Sequence, residues 1–433
     1  MRMRWNQRYV LKSYLGSSLW IVPLFAIPLA LLAARLLDRL GGWLGWSLLS
    51  FETAGAKTLL EAIVSATLAF LVFTFGSLLV AVQVASAQMT PRIIATTLLR
   101  NDVVKYTVAI LIFTLMFALG AQNKLDNGVD QLLVLVALVL GIVSFAAFFY
   151  LIDYASRLLR PVSVLTTVGN NGLAVVESVY PNLGSEPLNH GSLKPAAAPD
   201  RIIRHRGNSG IVLAVNLAKL LAKAEDAEGM IEFVPQVGDF VAVDDPLFNL
   251  FGGARAIDED ALRGLVAFGS ERTLEQDPTF AFRITVDIAL KALSPAINDP
   301  TTAVLAIDQL HRMLRTVGRR DLRTDEIFNS SGKLRVIFRT PNWEDFVHLA
   351  FREIRACGSS NLQIVRRLRA MIENLMQTLP KHRHPALLQE LSLLDRDIAK
   401  SFIYPEDLAL ARVGDTQGLG VHSGKNEVVE SGP

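Results

Sequence analysis

Cysteine occurs once, at Cys357, so no intramolecular disulfide and no thiolate zinc cluster can form, which fits a reducing compartment. Charge is scarce too. Asp, Glu, Lys and Arg make up 19% of 433 residues and leave a formal net charge of +2, which gives no global reason to expect nucleic acid as a partner. Enzyme signatures are also missing: there is no Walker loop, no G-x-G-x-x-G after a strand, no H-E-x-x-H and no nucleophile elbow. Neither an enzyme nor a cofactor is expected.

The missing charge is concentrated in the first third of the chain, which holds four long apolar stretches: Ser18 to Leu37, Thr58 to Ala85, Val104 to Ala121 and Gln131 to Tyr154. Each is close to the roughly 20 apolar residues that a helix rising about 1.5 Å per residue needs to cross a hydrocarbon core about 30 Å thick. In lipid the backbone must satisfy its own hydrogen bonds, so these stretches predict helices, the first kinked by Pro23 and Pro28. That first span has no convincing cleavage site after it and is expected to stay as an anchor. Trp20, Trp43 and Trp46 suit the membrane interfaces.

Basic residues in the short flanking segments set direction. Arg2, Arg4, Arg8 and Lys12 precede the first span, Arg92, Arg100 and Lys105 lie between the second and third, and Arg157 and Arg160 follow the fourth. The other side has Arg39, Lys57 and Lys124. This asymmetry predicts a multi-pass protein of a bacterial inner membrane with both termini in the cytoplasm.

The remainder reads as water-soluble. The expected fold class is therefore a four-helix membrane domain, residues 1–160, followed by a cytoplasmic α+β part. Residues 161–200 read as a juxtamembrane helix (Val162 to Tyr180) and a Pro-, Gly- and Ala-rich linker. Residues 201–256 read as a small β-rich subdomain with strands at Arg201 to Arg206, Gly210 to Val215, Met230 to Val234 and Asp239 to Val243 and a helix at Leu217 to Ala227. Residues 257–412 read as mainly helical, interrupted by one strand at Lys333 to Arg339. Residues 413–433 are polar and non-periodic and are expected to be disordered.

Two helix starts repeat one device. Asp277-Pro278-Thr279 and Asp299-Pro300-Thr301 each put a carboxylate where it can accept orphan backbone N–H groups and a proline where its missing N–H costs nothing. The helix from Pro278 should end near Leu293, and Ser294 to Asn298 should turn directly into the next helix. Here a family comes into view. Asp287-Ile288-Ala289 followed by Ala292-Leu293-Ser294-Pro295-Ala296-Ile297-Asn298-Asp299-Pro300-Thr301-Thr302-Ala303 resembles the signature of the bacterial membrane proteins grouped as domain of unknown function 2254. Gly269-Ser270-Glu271-Arg272-Thr273 with Gln276-Asp277, and Gln88-Met89-Thr90-Pro91-Arg92, are similar to two further blocks of that family, and Ala296 stands where a Gly is expected. The resemblance covers most of the chain and implies four spans plus a cytoplasmic domain in a bacterial inner membrane, with no activity attached. A weaker likeness joins Gly210 to Phe251 to the half-barrel of lipoyl and biotinyl carriers, but no Met-Lys pair stands ready for modification, so that stretch reads as a structural sheet.

Candidate sites compete with plainer readings. On the second span Thr58, Glu61, Ala62, Ser65, Ala69, Gly76 and Gln83 share one helix face, opposite Leu60, Phe70, Leu71 and Leu78. Such a stripe either lines a water-filled pathway between several copies or lets a neighbouring helix approach closely. In the soluble part, Glu271, Arg272, Asp277, Asp287, Asn298 and Asp299 are candidates for one polar network that stiffens the domain or binds a small ligand; the plainer reading is helix caps and an Arg283–Asp287–Lys291 ion-pair ladder. His382 and His384 flank Arg383, and the neighbouring cations oppose a metal, so no metal site is expected. Arg366, Arg367 and Arg369, and separately Arg312, Arg315, Arg319, Arg320 and Arg323, are basic enough to meet anionic headgroups, or are solvated helix faces.

Taken together, these features predict a homo-oligomeric channel or transporter-like assembly with a cytoplasmic regulatory domain. The alternative is a membrane-anchored sensor or scaffold whose cytoplasmic domain binds a ligand or protein. The expected partners are the lipid bilayer, further copies of the chain, and an ion or small molecule that the sequence does not identify.

Overall fold

The computed structural model describes residues 3–44, 51–88, 102–125, 131–158, 160–184, 198–322 and 325–420. Contacts divide the chain into two units, one of Ser13–Ala87 and Pro91–Val164, the other of Met1–Lys12, Gln88–Thr90 and Leu165–Pro433. Of the sequence features above, Arg2, Trp46, Arg92, Arg100, Arg323, most of the Gln88-to-Arg92 block, linker residues 185–197 and tail residues 421–433 lie outside the described residues.

After α1 (Trp5–Ser17), the apolar stretches form α2 (Ile21–Leu44), α3 (Thr53–Gln88), α4 (Asp102–Gln122) and α5 (Gln131–Leu158). Each is long and apolar enough to cross a membrane. Pro28 lies inside α2 without ending it, as expected where neighbouring helices support the freed carbonyl. Half of the apolar length of α4 is enclosed by the chain, against 22% of that of α2 and of α3, so α4 is the centre of this unit. Small residues permit the close packing: Ala30, Ala34, Ala118 and Ala137 are buried in one cluster with Leu60 and Phe117. A Cβ added to Gly120 would sit 3.5 Å from the Ala34 methyl, the approach that small residues allow between helices in lipid. Phe70 of α3 stacks on Phe148 of α5 with ring centroids 4.4 Å apart.

The other unit, besides its N-terminal part, holds most of α6 (Pro161–Val179) and continues through β1 (Arg201–Arg204), β2 (Gly210–Val215), α7 (Leu217–Asp226), β3 (Gly229–Gln236), β4 (Phe240–Val241), β5 (Pro246–Gly252), α8 (Glu259–Arg263) and β6 (Val266–Gly269). Then come α9 (Pro278–Ala292), α10 (Pro300–Gly318), β7 (Glu326–Phe328), β8 (Leu334–Arg339), α11 (Trp343–Gly358), α12 (Leu362–Thr378), α13 (His384–Ser401) and α14 (Pro405–Ala411). One sheet has the order β1-β5-β3-β8-β7 and the other β4-β2-β6. The alternating burial of β3 puts Ile231 and Phe233 into a core with Phe248, Leu250 and Val336, the period-2 pattern of a strand with one covered face.

Two boundaries differ from the sequence expectation. β8 pairs in parallel with β3, Ile231 opposite Val336, and β6 pairs with β2, so the β-rich region recruits strands from both sides of residue 256. β6 is four residues long and pairs with β2, and β7 is three residues long and pairs with β8; runs this short show no period-2 alternation to read, which is why the helical reading of 257–412 missed them. The expected disorder from residue 413 onward is also corrected for its first part. Residues 413–420 are folded: the Asp415 carboxylate accepts the N–H groups of Gln417 and Gly418 at 3.0 Å and of Gly420 at 2.7 Å.

Both Asp-Pro starts form as caps. Asp277 Oδ1 accepts the N–H of Phe280 at 3.1 Å and Asp299 Oδ1 that of Thr302 at 3.0 Å, each with proline in the first turn. α9 closes with Leu293 as its C-cap, and the turn reaches α10 through Asn298 at φ 47°, a left-handed conformation that asparagine tolerates better than most residues.

Candidate functional site

On α3 all seven residues of the small and polar stripe, Thr58, Glu61, Ala62, Ser65, Ala69, Gly76 and Gln83, are exposed. The residues this helix buries are Ala56, Leu60, Ile63, Thr67, Leu71, Thr74 and Ala81. At 3.6 residues per turn the two sets fall on opposite faces. Nothing lies within 4 Å of a Cβ built on Gly76. The chain thus packs α3 by the face of Leu60, Ile63 and Leu71 and turns the stripe outward. Thr58 donates its hydroxyl to the Ala54 carbonyl at 3.0 Å, the back-bond that lets threonine sit in an apolar helix. The Glu61 carboxylate has no proton to donate and so cannot be satisfied by such a back-bond.

In the other unit, the ends of β3 and β8 and the start of α9 enclose a cleft of about 850 Å³. Phe233, Phe338 and Trp5 supply apolar wall, and Asn216, Gln276 and Arg339 supply polar groups. Three of these are fixed by the fold: Gln276 Oε1 accepts the Val215 N–H at 3.0 Å, Asn216 caps α7 by accepting from Lys219 at 3.1 Å, and Trp5 packs against the cluster of Leu213, Ala214 and Ala267. Asp277 lies at the cleft wall with only 3% of its surface exposed. Burial raises its carboxyl above the ordinary range, opposed by hydrogen bonds from Thr279 and Phe280 and by the Arg272 charge. Its lone pairs are committed to the cap, to the Thr279 hydroxyl at 2.5 Å and to Arg272 at 3.5 Å. Asp277 therefore shapes the cleft and is not placed as a proton donor to a bound molecule. Tyr180, fully buried nearby in sequence to Pro181 and Asn182 of the cleft, donates to the Pro341 carbonyl at 3.3 Å and is held neutral chiefly by burial.

The polar network expected from sequence does not assemble as one. Arg272 meets Asp277. Asp287 meets Arg283, and Arg283 reaches across to Glu353 on α11, which lowers the Glu353 carboxyl pKa, chiefly through that hydrogen bond. Asp299 is occupied by Thr302, taking both its N–H and its hydroxyl. Glu271 is exposed, and Asn298 sits in its turn. Short-range caps and i,i+4 pairs satisfy these groups before a longer network can.

The arginine runs separate as well. Arg366 is fully buried, Arg367 pairs with Asp308 at 2.6 Å, and Arg369 pairs with Asp395, so this trio is structural and faces no headgroup. Arg312, Arg315, Arg319 and Arg320 instead line an open groove beside α6. Sequence reasoning missed Trp5, Phe233, Phe338 and Arg339 as cleft residues, since only the parallel pairing of β3 with β8 brings two of their strands together.

A family model described as a predicted membrane protein, DUF2254, matches residues 16–374. Proteins described as uncharacterised from Mycobacterium tuberculosis and Mycobacterium bovis are 26% identical over 449 residues, covering 98% of this chain and 83% of theirs. No solved structure matches.

Proposed function

The chain belongs to the family of predicted membrane proteins of domain of unknown function 2254, and from that premise we propose that it works as a homo-oligomeric channel or transporter-like assembly of a bacterial inner membrane. The soluble unit serves as its regulatory part, and both termini are cytoplasmic. The observation that supports this reading is the outward stripe of α3. A helix whose buried face is fully used within the chain leaves Glu61, Ser65 and Gln83 to the surroundings, and polar groups in hydrocarbon are costly unless water or another helix meets them. Further copies of α3 around an axis supply both, since small side chains allow close approach and polar ones hold water.

The test is the mass of the full-length protein in lipid nanodiscs, followed by flux in liposomes. Particles holding several copies of the 47.5 kDa chain, with ion flux that Ser65→Leu or Gly76→Leu alters, are expected. A single chain per particle defeats the reading, because four helices enclose no aqueous path alone.

A second reading rests on the 850 Å³ cleft, whose mixed apolar and polar lining is that of a small-molecule site. In that reading the protein is a membrane-anchored sensor or scaffold. Silent liposomes together with a ligand that protects Trp5 or Arg339 from modification favour it over the channel.

A further inference from the structure

Arg312 and Arg315 on α10 and Arg319 at its C-cap are three and four residues apart, the spacing that places side chains side by side on a helix. All three are exposed. With Arg320 they line a groove of about 460 Å³ that also contains two carboxylates, Glu177 and Asp308. Those carboxylates are already matched: Glu177 pairs with Arg320 at 3.1 Å and Asp308 with Arg367 at 2.6 Å. Arg312 bonds the side-chain oxygen of Asn170 on α6 at 2.7 Å, a neutral acceptor. Arg315 and Arg319 have no side-chain hydrogen bond or ion pair among the described residues.

Like charges at this spacing repel and destabilise a helix. The carbonyl end of α10 offsets part of that for Arg315, which lies in its last turn, but it gives no reason for a concave arrangement. The concavity is held firmly. Arg320 donates to the carbonyls of Tyr180 at 3.3 Å and Pro181 at 2.9 Å, and the Gly184 N–H reaches the Arg319 carbonyl at 2.8 Å, so the end of α6 and the segment after it are fixed as the opposite wall. His311 at the edge bonds Asn374 at 2.9 Å, and burial lowers its pKa, so it adds no further cation at neutral pH. With Glu177 matched by Arg320 and Asp308 by Arg367, the charges of Arg312, Arg315 and Arg319 are left over in the lining, an excess that suits a multiply charged anion such as a phosphate. Three guanidiniums also present more donors than the two oxygens of a carboxylate can take, whereas a phosphate group offers three oxygens.

From this arrangement we infer that the groove binds a phosphate-bearing anion through Arg312, Arg315 and Arg319, as a free phosphate compound or as a phospholipid headgroup. The site is independent of the oligomeric reading and stands whether or not α3 lines a pathway.

Two arms separate the sources. Full-length protein in a neutral detergent is titrated calorimetrically with inorganic pyrophosphate, and full-length protein in phosphatidylcholine nanodiscs doped with phosphatidylglycerol is assayed for retained anionic lipid by native mass spectrometry. Binding in at least one arm is expected, with about a tenfold loss in the Arg315→Gln/Arg319→Gln double variant and weakening by salt. In the wild type, the same probe should slow phenylglyoxal modification of Arg315 and Arg319, a readout that does not depend on how the variant folds. Pyrophosphate binding assigns a free ligand and phosphatidylglycerol retention assigns a headgroup. Absence of both, or equal binding by the double variant with no protection from phenylglyoxal, overturns the site.

Discussion

Arg366 donates its Nε–H to the carbonyl of Val413 at 3.0 Å. A second bond runs from Nη1 to the Gly420 carbonyl at 2.9 Å, and the Asp415 N–H returns to the Arg366 carbonyl at 3.1 Å. A fully buried guanidinium on α12 is thus the clamp that holds residues 413–420. Charge-assisted hydrogen bonds contribute about 1.5–3 kcal/mol each, so Arg366→Gln should lower stability by about 2–4 kcal/mol. Limited proteolysis should then cut this segment first. Wild-type resistance of residues 413–420 in the variant would assign the clamp elsewhere.

That clamp also marks where sequence reading stops. The four spans were legible because lipid demands long apolar runs, and the caps at Asp277 and Asp299 because a cap is a local bargain among three neighbouring residues. Arg366 and Val413 lie 47 positions apart, and nothing in a polar, glycine-bearing tail announces a buried partner on a distant helix. The same holds for the parallel pairing of β3 and β8 that builds the cleft. On α3 the stripe was visible by periodicity, while the direction it faces depends on how α4 and α5 pack and had to come from the structure.

Asp277 gives a pH prediction. Its carboxyl is raised above the ordinary range by burial, so the folded state takes up the proton more readily than the unfolded chain. Its favourable contribution is full below the unfolded pKa of about 3.9 and is lost as pH rises through the higher folded value. At neutral pH the ionised group therefore counts against the fold, and asparagine is an equally good N-cap. Asp277→Asn should melt at or above the wild-type temperature at pH 7.5, with the difference shrinking at pH 4.5. A variant that melts well below wild type at both pH values would mean that the charge facing Arg272 stabilises.

Gly172 on α6 packs tightly against two further helices. A Cβ there would fall 2.6 Å from the Ala281 methyl of α9 and 2.8 Å from Met313 Sδ of α10. Met313 can swing aside, but the Ala281 methyl has no rotamer to change. Gly172→Val should cost about 1–3 kcal/mol by overpacking, read as a lower melting temperature of the full-length protein. An unchanged melting temperature would show that α6 is free to move off α9 and α10.

Inside the membrane unit, Ser144 of α5 donates its hydroxyl to Thr114 Oγ1 of α4 at 2.8 Å, and both are fully buried. Two causes compete for what holds this contact, the hydrogen bond and the small size of serine. Polar bonds between helices in lipid average only about 0.6 kcal/mol and reach at most about 1.7, because the separated helices find other partners. An oversized residue in a close-packed seam costs about 1–3 kcal/mol. Size should therefore dominate: Ser144→Ala, which removes the bond and keeps the approach, should lower resistance to denaturing detergent slightly, and Ser144→Leu should lower it several times more. Equal losses in the two variants would make the hydroxyl pair, rather than the close seam, the element that holds α4 to α5.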